Sequence, residues 1–244
     1  MKRFRHVIRK SLRFFHLDIS QNLRYDRMTE RIMRRLISRG SNCIDVGCHK
    51  GEILEQMLTL APDGQHYAFE PIPGFYKELV KRFGDEVKVF PYALSSAEGE
   101  VNFRHVKNAP AYSGIKERKY DVAKPDVEII AVKAKRLDDI VPEHHDIAFI
   151  KIDVEGGEFD VMKGAQQLLR RCRPAIVFEC GLGASEYYKT DPSDLYAFLK
   201  GIPGYQLYTL KSFCNGSTPL SEKEFSDHYI NNTEYYFIAS PGVV

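Results

Sequence analysis

The chain has 244 residues, 43% apolar and 28% charged, with no Trp. This is enough chain for one large domain with a full core, and the balance excludes a disordered chain, a collagen repeat and a small disulfide scaffold. The net charge of +2 hides an asymmetry: residues 1–40 hold 12 Lys and Arg against three acids, a net +9, and the remaining residues sum to −7.

Residues 1–40 read as a basic helical N-terminal extension and residues 41–244 as the main domain. In the first stretch Phe4, Val7, Ile8, Leu12 and Phe15 fall at helical spacing among Lys2, Arg3, Arg5, Arg9, Lys10 and Arg13. Such a face can lie on an anionic membrane or simply cap the domain. A second helix is expected from Asp26 to Ser38, stopped by Gly40. No apolar run approaches the ~18 residues of a membrane span, and the basic start leads into no apolar secretory core. A cytoplasmic protein is the expectation, with membrane association through residues 1–20 and a domain cap as the two alternatives for the arm. The five cysteines show no C-x-x-C pair and read as reduced thiols.

From residue 41 strands and helices alternate. Strand runs are expected at 42–46, 66–69 and 87–90, with helices from Gly51 to Leu60 and from Pro71 to about Phe83. Two β-rich runs, 100–106 and 127–132, flank the loop Ala109-Pro-Ala-Tyr-Ser-Gly114 and read as a β insertion, with Tyr112-Ser-Gly as a lid. Ile147–Ile152 is apolar at nearly every position, as a strand buried on both faces should be. A single helix from Phe159 to Arg171, a strand at 175–178, a helix at 193–200 capped by Asp191 or Ser193, and closing strands at 206–210 and 235–239 complete the pattern. Alternating βαβ units imply a parallel sheet with helices on both faces.

In such sheets ligands sit beyond the carboxyl ends of the strands. Four strand ends carry chemistry. The first is Asp45-Val-Gly-Cys-His-Lys-Gly51, whose glycines permit a tight turn but do not form G-x-G-x-x-G. The second is Glu70, able to accept both hydroxyls of a ribose. Together they favour a nucleoside-bearing cofactor. The third is Lys151-Ile-Asp-Val-Glu-Gly-Gly-Glu158, where three carboxylates at the end of a buried strand demand a cation, donors or a ligand. The fourth is Glu179. With Asp153 it either holds a divalent ion or lines a polar pocket; the pocket is preferred and no metal ligand is assigned. Tyr187, Tyr188, Tyr205, Tyr208, Tyr235 and Tyr236 are either core residues or a sugar-stacking surface.

These pieces resemble the FkbM-type methyltransferases, a branch of the class I S-adenosylmethionine-dependent fold. The resemblance rests on Ile44–Gly51, Tyr67-Ala-Phe-Glu-Pro71, Tyr92-Ala-Leu-Ser95, Arg136-Leu-Asp-Asp139, Phe149–Glu158, Lys163-Gly-Ala165 and Arg173–Glu179, in order. It implies a Rossmann-like, mostly parallel seven-stranded sheet with a reversed final hairpin. It implies S-adenosyl-L-methionine as cofactor, held by Asp45, Gly47, His49 and Gly51 in the loop, Glu70 on the ribose, and Ala93 and Leu94 beside the adenine. Asp153 and Glu155 match the acidic signature at the methyl-transfer site and are the expected catalytic pair. His105, His144 and His145 are alternative bases, the last two discounted because they precede their strand.

The expected function is therefore O-methylation of a hydroxyl on a sugar, a glycan or another polar metabolite, the acceptor being free or lipid-linked. No nucleic-acid partner is expected. The competing readings are a non-catalytic, membrane-recruited binding protein that keeps the fold, and a nicotinamide-dependent oxidoreductase, which the missing G-x-G-x-x-G disfavours.

Overall fold

A computed structural model describes residues 21–242. The amphipathic face expected over residues 1–20 lies outside the described residues. The chain enters through helix α1 (Gln21–Leu36), which starts five residues earlier than its apolar pattern suggests and buries Leu23, Tyr25, Thr29, Ile32 and Met33. Then come β1 (Asn42–Val46), α2 (Glu52–Leu60), β2 (His66–Phe69), α3 (Pro73–Phe83) and β3 (Val87–Phe90). The insertion follows, with β4 (Tyr92–Leu94), β5 (Gly99–Val106) and β6 (Val127–Lys135). The rest is β7 (Ile147–Ile152), α4 (Glu158–Lys163), α5 (Gln166–Cys172), β8 (Ala175–Glu179), α6 (Pro192–Lys200), β9 (Gln206–Thr209), α7 (Leu210–Cys214), α8 (Glu222–Ile230) and β10 (Tyr236–Ser240).

Seven strands form one sheet in the order β3-β2-β1-β7-β8-β10-β9. All pairs are parallel except those of β10, which runs antiparallel between β8 and β9. This is the Rossmann-like sheet with a reversed last strand that the resemblance implies. The insertion makes its own three-stranded sheet, β4-β6-β5.

The two-residue period of a strand decides which side chains meet which layer. Ile44, Val46, Ile150, Ile152, Ile176, Phe178, Phe237 and Ala239 point to one face and pack with residues of α4, α5, α6 and α8. Cys43, Phe149, Val177 and Ile238 point to the other and pack with α1, α2 and α7. Asp45, Lys151, Glu179 and Tyr236 share the parity of that second set. The polar residues of four strands thus fall on one face, toward α1, at one edge of the sheet.

Two expectations are corrected. The single helix over 159–171 is two, α4 and α5, broken at Gly164. There the backbone lies so close to the chain that a Cβ on Gly164 would stand 2.1 Å from the Ser95 carbonyl oxygen, and the Gly164 carbonyl accepts the Asp138 N–H at 3.0 Å. The strand expected to reach Leu210 stops at Thr209, whose hydroxyl accepts the Ser212 N–H and caps α7. Asp191 is the cap of α6, accepting the Ser193 N–H at 2.8 Å. The capping box of α8, Ser221 with Glu224, was legible but α8 was not expected. All five cysteines are free thiols, with Cys43, Cys48 and Cys180 buried.

Candidate active site

The β1 turn brings the loop residues together. Gly47 (φ 76°) passes so close to β7 that a Cβ there would lie 1.9 Å from the Asp153 carbonyl oxygen, so only glycine fits. The Asp153 N–H in turn donates to the Val46 carbonyl at 3.0 Å. The ends of β1 and β7 are therefore in direct contact, and the acids that follow β7 sit beside the loop that follows β1.

Two cavities meet there. The first, about 200 Å³, is lined by Gly47, Glu70, Ile72, Leu94, Phe103 and Val154 among others. The second, about 510 Å³, is more polar and is lined by Asp45, Lys151, Glu179, Arg118, Tyr25 and Tyr236 among others. Gly47, His49, Ala111, Asp153 and Glu155 belong to both walls.

Glu70 is 4% exposed. Its Oε2 accepts the His49 N–H and its Oε1 the Ile72 N–H, both at 2.9 Å. Burial pushes its carboxyl up to about 7 despite those donors. Asp45 is 2% exposed and its Oδ2 has no hydrogen-bond partner. Burial raises it to about 7 against the pull of Lys151. A buried carboxylate oxygen without a donor is costly and marks a place for a cationic or N–H group of a ligand. His49 sits at φ 48° with its ring 4.4 Å from that of Phe75. Its buried Nε2 is also unpartnered, and burial together with Lys50 lowers its pKa, which keeps the ring neutral.

The acids beyond β7 are each held differently. Lys151, 6% exposed, donates to Asp153 Oδ2 at 2.9 Å and lies 4.8 Å from the Tyr236 ring centre. The Tyr236 hydroxyl donates to the same Oδ2 at 2.6 Å. Burial acts to raise Asp153, but Lys151 and Tyr236 outweigh it and hold the carboxyl below the ordinary range. Glu155, at φ 61°, is ion-paired with Arg118 of the insertion, whose guanidinium lies 4.9 Å from the Tyr112 ring centre. Glu158 is 1% exposed, accepts the Val154 and Gly156 N–H groups, and is pushed by burial up to about 7. It shapes the loop rather than lining either cavity. Carboxylate oxygens of Asp153, Glu155 and Glu179 lie within 4.8 Å of one another. That spacing would suit a cation, but Lys151 and Arg118 already bring positive charge to two of the three.

Of the expected site residues, Gly47, His49, Glu70, Ala93, Leu94, Asp153 and Glu155 line the first cavity, and Asp45 lines the second. Gly51 lines neither. It opens α2 at φ 75°, packed against Leu79 and Phe83, so its role is to shape the turn. His105 lies on β5 of the insertion and His145 bonds Tyr67 before β7; neither lines a cavity described here. Sequence reasoning missed Arg118, Tyr25 and the role of Lys151. The signal for Lys151 was present: a lone charge in an otherwise apolar strand.

This sheet order, with its reversed last strand and paired cavity beyond the strand ends, is the class I methyltransferase fold. The residues present fit S-adenosylmethionine: in the first cavity Glu70 would meet ribose hydroxyls and Ile72, Leu94 and Phe103 an adenine ring, and the unpartnered Asp45 oxygen would meet an ammonium reaching into the second. The pattern described as "Methyltransferase FkbM domain" matches residues 45–207, and the chain belongs to this family. Among curated proteins it is similar to 2-O-methyltransferase NoeI of Sinorhizobium fredii, 28% identical over 145 residues, covering 53% of this chain and 59% of that protein. It is also similar to Methyltransferase sdnD of Sordaria araneosa, 27% identical over 160 residues, 51% of this chain and 60% of that one. The chain thus spans about three-fifths of the length of these relatives. A solved FkbM methyltransferase from Methylobacillus flagellatus KT shares the fold, with a TM-score of 0.52 at 17% identity, covering 83% of this chain and 44% of that one.

Proposed function

We propose that the protein transfers a methyl group from S-adenosylmethionine to a hydroxyl of a sugar or a similarly polyhydroxylated acceptor. The observation that carries this reading is the junction at Asp153. On one side lies the smaller cavity, with Glu70 and an apolar wall. On the other lies a cavity whose acids can accept hydroxyl hydrogen bonds and whose tyrosines offer flat apolar faces. The similarity to a protein named as a 2-O-methyltransferase supports oxygen as the target.

The cofactor supplies a methyl group already activated on a sulfonium, so the protein's task is alignment and exclusion of water. Gly47 brings the two strand ends together. Asp153, ionised and fixed by Lys151 and Tyr236, orients the acceptor hydroxyl. Glu155 and Arg118 close the junction from the insertion side. The test is transfer of labelled methyl from S-adenosylmethionine to a panel of methyl glycosides, with the product mapped by mass spectrometry. Label on a ring hydroxyl supports the reading. Label reaching only nitrogen or phenolic acceptors contradicts it.

The acceptor side adjoins a basic groove of about 950 Å³, which shares Tyr25 with the acceptor cavity. Arg24, Arg27, Arg31 and Arg34 of α1, at helical spacing, and Lys211 of α7 line it. With the basic residues 1–20 directly upstream, this supports an acceptor carried on an anionic lipid surface. Flotation with vesicles containing about 30% phosphatidylglycerol should carry the protein and pure phosphatidylcholine should not; equal partition would contradict this part.

A further inference from the structure

Three carboxylates surround the acceptor side of the junction, and two of them are already committed. Asp153 takes both Lys151 and the Tyr236 hydroxyl, and Glu155 takes Arg118. Glu179 differs. It ends β8, directly across from Tyr236 in the β8–β10 ladder. Its carboxylate comes within 4.8 Å of those of Asp153 and Glu155 and lines the second, more polar cavity and not the first. Among the described residues it accepts no hydrogen bond and forms no ion pair. Resting on the methyltransferase reading above, we propose that Glu179 is the general base that takes the proton from the acceptor hydroxyl, with Asp153 as the residue that positions that hydroxyl.

The division of labour follows from the chemistry of each group. A carboxylate held by an ammonium and a phenol is a good anchor and a poor base, because its proton affinity has been spent. A half-buried carboxylate facing other acids has the opposite character. Burial, then Asp153 and Glu158, push Glu179 up to about 8, while Arg118 and Lys151 pull it down only in part. The charged and titratable groups around it are Lys151 from β7, Asp153 and Glu155 just beyond it, Glu158 from α4, Arg118 from the insertion, Cys180 beside it on the chain, and Tyr235 and Tyr236 at the start of β10. The positive charge of the methyl donor, when it arrives, favours the ionised form and readies the base. In the step itself the acceptor oxygen forms the new O–CH₃ bond as the S–CH₃ bond breaks. The bonding pair goes to sulfur, the hydroxyl proton goes to Glu179, and Glu179 later releases it to solvent. Sulfur leaves as a neutral thioether and no other reactant is needed.

The test has two readouts on the full chain. In protein carrying ¹³C-labelled glutamate side chains, the resonance lost in Glu179→Gln should titrate well above the ordinary carboxylate range, both alone and with S-adenosylhomocysteine. Titration below pH 5 overturns the proposal whether or not an acceptor is in hand. With a methyl glycoside acceptor, Glu179→Gln should lower kcat by about 10²-fold or more and remove the acidic limb of the pH–rate profile. Its affinity for S-adenosylhomocysteine should stay within about threefold of wild type, and Glu179→Asp should recover part of the rate. Turnover within fivefold of wild type in Glu179→Gln, or turnover that strictly requires added Mg²⁺ or Mn²⁺, overturns it. Failure of wild type to bind S-adenosylhomocysteine would instead sink the methyltransferase reading itself, so the two failures are told apart.

Discussion

Lys151 is the residue on which the acidic end of β7 depends. Its ammonium is buried, which is tolerable only because Asp153 and the face of Tyr236 receive it. The pair fixes Asp153 as an ionised acceptor at the point where the two cavities join. Asp153→Asn keeps an oxygen for Tyr236 and Lys151 but removes the charge. The expected result is a folded protein with methyl transfer reduced at least ~100-fold and S-adenosylhomocysteine still bound. A variant with wild-type turnover would contradict the role given to Asp153. At this scale the sequence was informative where side chains share parity on neighbouring strands. Asp45, Glu70, Asp153 and Glu155 could be placed at strand ends because short apolar runs closed by glycine, proline or acidic residues mark buried strands. Tyr25 could not, because nothing in a helical pattern says which cavity its buried face will wall.

At the scale of elements, the insertion does the work of closing the site. Its two long strands were legible from alternation, but β4, three residues long, was not expected as a strand. The contacts that dock the connecting segment are long-range and were not legible at all. Lys119 N–H donates to the Gly183 carbonyl at 2.8 Å, Lys116 N–H donates to the Tyr188 hydroxyl at 3.1 Å, and Arg118 pairs with Glu155. Arg118→Ala should loosen this strap. Trypsin cleavage after the exposed Lys116 and Lys119 should then be several-fold faster than in wild type; unchanged cleavage would show that the backbone bonds alone hold the segment. The break between α4 and α5 is a similar case. Apolar periodicity runs straight through Gly164, where the close approach of Ser95 and the bonds of Asp138 to the Gly164 carbonyl and to the Gln167 and Leu168 N–H groups mark the break.

For the whole molecule, the site carries more buried acid than its cations balance, and this couples stability to pH. Asp45, Glu70 and Glu158 are raised to about 7 and Glu179 to about 8, chiefly by burial. Unfolded, these groups lose their protons near pH 4. Between about pH 4 and 8 the folded chain therefore holds more protons than the unfolded one, and stability falls as pH rises through that window. His49 and His66, lowered by burial, act in the opposite sense below about pH 6.5. The clean interval is thus above them. The ligand-free protein should lose several degrees of Tm between pH 6.5 and 8.5, and a Tm that rises over that interval would contradict the reading of these carboxyls. The seven strands and the reversed final hairpin were anticipated only through the family resemblance, and the strand order was not anticipated, since it is set by packing between segments far apart in the chain.

The central claim is that the smaller cavity is an S-adenosylmethionine site built around Glu70. The most direct measurement is calorimetric titration of the full chain with S-adenosylhomocysteine, with NAD as control, in wild type and Glu70→Ala. Micromolar binding to wild type, at least ~10-fold weaker in Glu70→Ala and absent for NAD, is the predicted result. No binding of S-adenosylhomocysteine to folded protein, or equal binding by the variant, would contradict the account.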